Sequence, residues 1–175
     1  AVSICDRISQ AADNMNEMIT DIVVQDRRQP IKLSELISYA TAQVSSKQGR
    51  CRVNLSLEDE NMKVAGNRMR LARAIANILE NALQAMSDTG GSIQISIRSL
   101  PDHRGRIVIA DNGPGILEEE KNQVFELGFS SRGTSGLGLP FASEVIQDHG
   151  GSLNLWSVPG IGTKVVIYLP EVIEN

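Results

Sequence analysis

Two asparagines stand four residues apart in Arg73-Ala-Ile-Ala-Asn77-Ile-Leu-Glu80-Asn81-Ala. In a helix that spacing stacks both amides on one face, away from the apolar Ile75, Ile78 and Leu79. Asparagine is a middling helix former, so a pair in mid-helix asks for a reason. Its carbonyl is a hard oxygen ligand suited to Mg²⁺ held between protein and phosphates, and Arg73, one turn earlier, can meet a phosphate oxygen. Two solvated asparagines on an exposed face fit the same spacing. A second cluster, Asp111-Asn-Gly113-Pro-Gly115-Ile116, stands where an alternating segment ends. There the carboxylate can accept from an amino group such as adenine N6 while the glycines let backbone approach a flat ligand; a plain turn is the other reading. A third, Gly133-Thr-Ser-Gly136-Leu137-Gly138-Leu139, opens into a helical pattern. Free amides and the positive dipole end would face an anion, and a flexible loop with a glycine-tolerant helix start is the competing reading.

The chemistry these clusters share is phosphate binding without net positive charge. The 175 residues carry 17 Lys and Arg against 21 Asp and Glu, a formal charge of −4, so no overall basic field favours nucleic acid or anionic lipid. Only six residues are aromatic, too few for base-stacking platforms. No Gly-x-x-x-x-Gly-Lys-[Ser/Thr] loop occurs, and Gly136-Leu-Gly138-Leu-Pro lacks the third small residue of a dinucleotide fingerprint. Cys5 and Cys51 make neither a zinc spacing nor a disulfide framework, which points to a reducing compartment. No apolar run reaches the roughly 18 residues that span a bilayer. The abrupt start, with no basic signal-peptide region, reads as a cut from a longer chain.

Several elements must position these clusters. Ile4, Ile8, Ala11, Met15, Met18 and Ile22 form about three heptads, the seam of a bundle helix or of an amphipathic helix on its own domain. Pro30 ends that helix or begins a linker, which places a boundary near residues 26–30 and divides the chain into 1–28 and 29–175. Residues 33–47 have helical spacing, with Ser34 placed to cap their start and Gly49 past their end. A strand at 52–57, a long helix at 67–86 and strands at 92–98 and 106–110 follow. The glycine-rich centre then leads into a helix ending at His149, where a cation is favoured, and two strands at 152–157 and 163–169 close the chain as a hairpin. This order predicts a two-layer α/β sandwich, a mixed sheet with helices on one face.

Taken together and in this order, the clusters resemble the ATP-binding domain of two-component sensor histidine kinases, within the superfamily of gyrase, Hsp90 and MutL ATPases. The N box is similar to Asn77-Ile-Leu-Glu-Asn81-Ala and the G1 box to Asp111-Asn-Gly113-Pro-Gly115-Ile116. The F box is similar to Val124-Phe-Glu-Leu-Gly-Phe129-Ser-Ser-Arg132, and the G2 box to Gly136-Leu137-Gly138-Leu139. The resemblance covers about residues 30–170 and implies a Bergerat-type fold with a mostly antiparallel sheet. It also implies ATP and Mg²⁺ as ligands. By it, Asp111, Gly113, Gly115 and Ile116 hold adenine, Asn81 ligates Mg²⁺, and Asn77 and Arg73 support the phosphates. Gly136, Leu137, Gly138 and Leu139 form the phosphate rest. Phe125 and Phe129 anchor a lid, unless they are core aromatics, and Arg132 lies near the γ-phosphate. Only Gly-Thr-Ser separates Arg132 from Gly136, so the lid is short and fast nucleotide exchange is expected.

Within that superfamily, hydrolases generally carry Glu where this chain has Asn77. An amide is no general base at neutral pH, so phosphoryl transfer to a positioned side chain is expected rather than hydrolysis. Glu80 is either a substitute base or a solvated helix residue. A kinase of this family phosphorylates a histidine on a dimerisation hairpin, but His103 and His149 both lack that context. The heptad segment is similar to the hairpin's second helix, so the chain is expected to bind Mg-ATP without phosphorylating itself. The implied partners are ATP and ADP, the histidine-bearing dimerisation domain of a homodimeric parent, and a response regulator, with no nucleic acid. The portion is expected to be cytoplasmic, whether or not its parent is anchored in a membrane. The alternative is a non-enzymatic ATP-binding module, anti-sigma-like or nucleotide-sensing, that grips a protein partner. An ATPase dimerised by nucleotide is a third reading.

Overall fold

The computed structural model of the chain describes residues 28–121, 123–126, 128 and 136–173. The heptad segment, Phe129, Arg132 and the short lid sequence lie outside the described residues.

Seven strands and three α-helices are described. In chain order they are β1 (Gln29–Lys32), α1 (Leu33–Val44), β2 (Cys51–Leu57), β3 (Lys63–Gly66), α2 (Arg68–Ala85), β4 (Gly91–Leu100), β5 (Arg104–Asp111), α3 (Gly138–Asp148), β6 (Ser152–Val158) and β7 (Gly162–Pro170), with a 3-10 turn at Ser45–Lys47. Five strands form one sheet in the order β2-β4-β5-β7-β6. All neighbours in it are antiparallel except β2 and β4. That parallel pair follows from the connection: β3 and α2 lie between the two strands and carry the chain back to the same end.

Alternation explains how the sheet takes its cover. Ile93, Ile95 and Ile97 on β4 stand beside Ile109 and Ile107 on β5, then Val165 and Ile167 on β7, and all are buried. The intervening Gln94, Arg98, Lys164 and Trp156 are exposed on the other face. Against the inner face lie Leu36, Ile37, Ala40 and Val44 of α1, Leu71, Ile75, Ile78, Leu79 and Ala82 of α2, and Ala142, Val145 and Ile146 of α3, forming one continuous core. α2 packs on both α1 and α3 and is therefore the central helix.

Three local expectations are corrected. Pro30 begins no linker: it lies in β1, opposite Ala65 of β3, in a separate two-stranded sheet. β1 is paired on one side only, whereas β3 also bridges through Val64 to Glu171, and an edge tolerates a residue that has no amide to donate. Ser34 is not the cap of α1. The helix starts at Leu33, whose amide donates to the Met62 carbonyl at 2.9 Å, while the Ser34 hydroxyl donates to the Glu60 carbonyl at 3.0 Å. His149 serves as a buried acceptor rather than a helix-end cation. Its Nδ1 lies 2.7 Å from the Val145 carbonyl and its Nε2 accepts the Asn67 amide at 3.0 Å, an arrangement that places the ring proton on Nδ1. Asn67 in turn caps α2, its side-chain oxygen accepting the amides of Met69 and Arg70 at 3.0 and 3.1 Å.

Candidate functional site

The site is built along one stripe of α2. Arg73, Asn77, Asn81 and Ala85 recur every four residues and so share a face. The first turn of α3 lies over the middle of that stripe. A methyl group added at Gly138 would stand 3.5 Å from Asn77 Cβ and 3.6 Å from Asn81 Nδ2, so the glycine leaves the space above the amides open. No side chain caps the start of α3, whose leading residues are Gly138 and Leu139. Gly136 and Leu137 bring the chain into that turn, with Gly136 at a positive φ of 64°. The Asn pair and Gly138 of the third cluster, some sixty residues apart in sequence, are therefore brought together.

The Asp111 loop sits at the far end of the same stripe. At Gly113 a methyl group would fall 3.6 Å from Ala85 Cβ and 2.9 Å from Asp111 Oδ1. Asp111 Oδ1 accepts the amides of Gly113 at 2.9 Å and Thr163 at 3.2 Å, which orients the carboxylate at the end of β5. Gly115 is required by geometry: its φ is +72° and an added Cβ would lie 2.3 Å from the Val158 carbonyl oxygen. The loop is tied to the β6–β7 turn by the Gly160 amide, which donates to the Pro114 carbonyl at 2.8 Å, and by the Ile116 amide, which donates to Ser157 Oγ at 2.9 Å.

Other expected residues lie differently. The Glu80 carboxylate is engaged by Lys47 of the 3-10 turn at 2.9 Å. Phe125 is partly exposed. Leu139 is partly buried and packs against the core. Sequence reasoning missed Thr163 and Ser157. Thr163 lies directly opposite Asp111 in the β5–β7 register, and the buried Ser157 bonds both Ile116 and the β6–β7 turn. A signal was available, since Ser157 occupies an inward position of β6 where Leu153 and Leu155 set an apolar expectation.

The donor set fits Mg²⁺ bound jointly with phosphates. Among the described residues no group of three or more His, Cys, Asp or Glu could hold a metal by itself. The Asn81 side-chain amide lies beside the open turn at Gly138, its Nδ2 3.6 Å from the methyl position there, and carries one oxygen able to serve as a ligand. Mg²⁺ commonly takes one or two protein oxygens and completes its octahedron with waters and phosphate oxygens.

Fold and site define a class. Residues 66–173 match the family described as histidine kinase-, DNA gyrase B-, and HSP90-like ATPase, and the chain belongs to it. It is 32% identical over 151 residues to the signal transduction histidine-protein kinase/phosphatase MprB of Mycobacterium ulcerans (strain Agy99), covering 81% of this chain and 29% of MprB. It is 36% identical over 143 residues to the alginate biosynthesis sensor protein KinB of Pseudomonas aeruginosa, covering 79% of this chain and 24% of KinB. The chain thus spans less than a third of the length of these relatives. The solved structure of the mycobacterial sensor histidine kinase MprB superposes with a TM-score of 0.73 at 30% identity, covering 82% of this chain and 97% of that one. The two-layer fold is that of histidine kinase catalytic domains. Among the described residues no helix is long and apolar enough to cross a membrane.

Proposed function

We propose that residues 29–175 form the ATP-binding catalytic domain of a sensor histidine kinase. It transfers the γ-phosphoryl group of Mg-ATP to a histidine on a dimerisation helix, for relay to an aspartate of a response regulator. Residues 1–28 belong to the second helix of that dimerisation hairpin, and the parent is a homodimer. One observation carries this reading: Gly113 and Gly138 approach the same stripe of α2 at Ala85 and at Asn77–Asn81. These contacts are separated by roughly 6–12 Å along the axis, a path for an elongated ligand with a base at one end and phosphates at the other.

Each residue then has a task. Asp111 accepts from the base amino group, and Gly113, Gly115 and Ile116 let the loop lie against the ring. Gly136 through Leu139 present the first amides of α3 to the phosphates. Asn77 and Arg73 hold phosphate oxygens, and the Asn81 carbonyl holds Mg²⁺, which supplies charge neutralisation between the phosphates when bound. Phe129 is assigned the lid anchor and Arg132 the γ-phosphate, both by the family's motif and both outside the described residues. Glu80 takes the proton from the attacking imidazole, and this requires its release from Lys47. As the new N–P bond forms, the bond from the γ-phosphorus to the β–γ bridging oxygen breaks and ADP leaves. With an amide at position 77, water has no base there, which favours transfer over hydrolysis. His149 is no candidate acceptor, since both its ring nitrogens are engaged and it is buried.

The test supplies the parent's histidine-bearing hairpin in trans with γ-labelled ATP and Mg²⁺. Acid-labile label on the hairpin, with little free phosphate and none on this chain, is expected. Free phosphate without labelled hairpin would favour an ATPase, and neither product would favour a binding module.

A further inference from the structure

The helices cover one face of the five-stranded sheet, and the charge on the other face is of one sign. Alternation places Arg52 of β2, Arg98 of β4, Arg104 and Arg106 of β5 and Lys164 of β7 on that outer face, with no acidic residue from any of the five strands beside them. The formal charge of −4 therefore conceals a basic surface. Two of the five cations are neutralised from the loops that follow β2 and β4, Arg98 by Glu58 at 3.0 Å and Arg104 by Asp102 at 2.6 Å. Arg52, Arg106 and Lys164 form no ion pair with any described residue, and the Arg106 Nε is buried without a hydrogen-bond partner.

One edge of this face is apolar. Trp156 and Val158 of β6 alternate onto it, 51% and 52% exposed, and Ile161 stands 70% exposed in the turn to β7. Trp156 lies directly opposite Lys164. A bilayer interface takes both kinds of group: an indole ring settles at headgroup level, and a nearby cation is drawn to anionic lipid. We propose that the outer face of the sheet is a peripheral membrane-binding surface for anionic phospholipid. Trp156, Val158 and Ile161 enter the headgroup region, while Arg52, Arg106 and Lys164 attract the lipid phosphates. Particular side chains disfavour other anionic partners. Single-stranded nucleic acid stacks on free aromatic faces, but Tyr168, the other aromatic on this face, already has Arg104 over its ring at 4.9 Å. An acidic peptide would engage the cations and leave three apolar side chains in water. The α2 stripe with Asn77 and Asn81 lies on the opposite side of the sheet, so the surface does not rest on the nucleotide-binding reading.

The experiment floats the full 175-residue chain with vesicles of phosphatidylcholine alone and of equal parts phosphatidylcholine and phosphatidylglycerol. Trp156, the only tryptophan, reports contact at the proposed face through its emission. Binding to the anionic vesicles alone is expected, with a blue shift of the emission and quenching by brominated acyl chains, and it should weaken as salt rises. Lys164→Gln and Arg52→Gln should each weaken partitioning about fivefold, the worth of one cation near an anionic surface. Ile161→Asp, at the most exposed apolar position, should weaken it about tenfold or more. Urea unfolding midpoints of the three should stay near that of the wild type, which separates lost contact from lost fold; if one does not fold, the other two decide. No more recovery with anionic than with neutral vesicles overturns the proposal. Binding with Trp156 emission unchanged, or folded variants that all partition as the wild type does, overturns it equally. Tighter capture of a single-stranded oligonucleotide or of polyglutamate than of the anionic vesicles overturns it in favour of that class of partner.

Discussion

The amide of Asn67 donates to Nε2 of His149 at 3.0 Å, joining the start of α2 to the end of α3. Arg70 and Asp148 pair at 2.8 Å beside it. At 1.5 Å per residue, Asn77 and Asn81 lie about 15–21 Å along α2 from that joint, and Gly138 lies about 16 Å back along α3. Two antiparallel helices joined at one end therefore bring Gly138 over the two asparagines at the other. A buried histidine thus sets the register of the site without touching it.

Removing this joint should loosen both stability and site. His149→Ala leaves the Asn67 amide buried without its acceptor, at a cost of about 1–3 kcal/mol before any cavity is counted. Asn67→Ala removes the cap of α2 and should cost about 0.5–2 kcal/mol. Urea unfolding measures both, and nucleotide affinity should weaken alongside. An affinity unchanged in a destabilised His149→Ala protein would separate the joint from the site.

Two glycine substitutions should behave oppositely. Gly138→Ala places a methyl group at ordinary contact distance from Asn77 and Asn81, so the protein should fold with stability equal to or above the wild type while phosphate binding weakens. Gly115→Ala demands a left-handed conformation and forces Cβ against the Val158 carbonyl. It should destabilise by about 2 kcal/mol or more. Thermal unfolding paired with nucleotide titration distinguishes the two.

Glu80 is tested apart from binding. Glu80→Gln keeps the shape and removes the base, so transfer to a supplied histidine should fall by about 10²–10⁴ with ATP affinity unchanged. Lys47, half exposed in its pair with Glu80, should contribute about 1 kcal/mol or less to stability, and Lys47→Ala should show that in urea unfolding.

The β4–β5 turn gives a pH-dependent signal. A hydrogen bond from Arg104 holds the Asp102 carboxyl below its ordinary value of 3.8, and the same pairing raises Arg104. Because the folded value is the lower one, the pair's small stabilisation is present above 3.8 and lost as pH falls through the folded value. An NMR titration of the Asp102 side chain should give a midpoint below 3.8 that returns toward it in Arg104→Ala.

The sheet, its hairpin and the three helices were legible because their periodicities were unbroken: the inward isoleucines of β4 and β5 alternate, and α2 repeats its apolar face over 18 residues. β1 and β3 were not. Each has four residues, too few to show alternation, and Pro30 argued for a break where an edge strand accepts it. The clusters holding Asn77, Asp111 and Gly138 could be found because glycine and asparagine are unusual where they stand. Ser157 bonds Ile116, Thr163 bonds Asp111 and His149 bonds Asn67, partners 41, 52 and 82 residues away, and such partners leave no spacing to read.

The most direct measurement of the central claim is a calorimetric titration with a non-hydrolysable ATP analogue, with and without Mg²⁺, on the wild type, Asp111→Asn and Asn81→Ala. The predicted result is Mg²⁺-dependent binding by the wild type, lost or greatly weakened in both variants, with all three proteins folded. Folded wild-type protein that binds no analogue, or variants that bind as the wild type does, would contradict the assignment of this site to ATP.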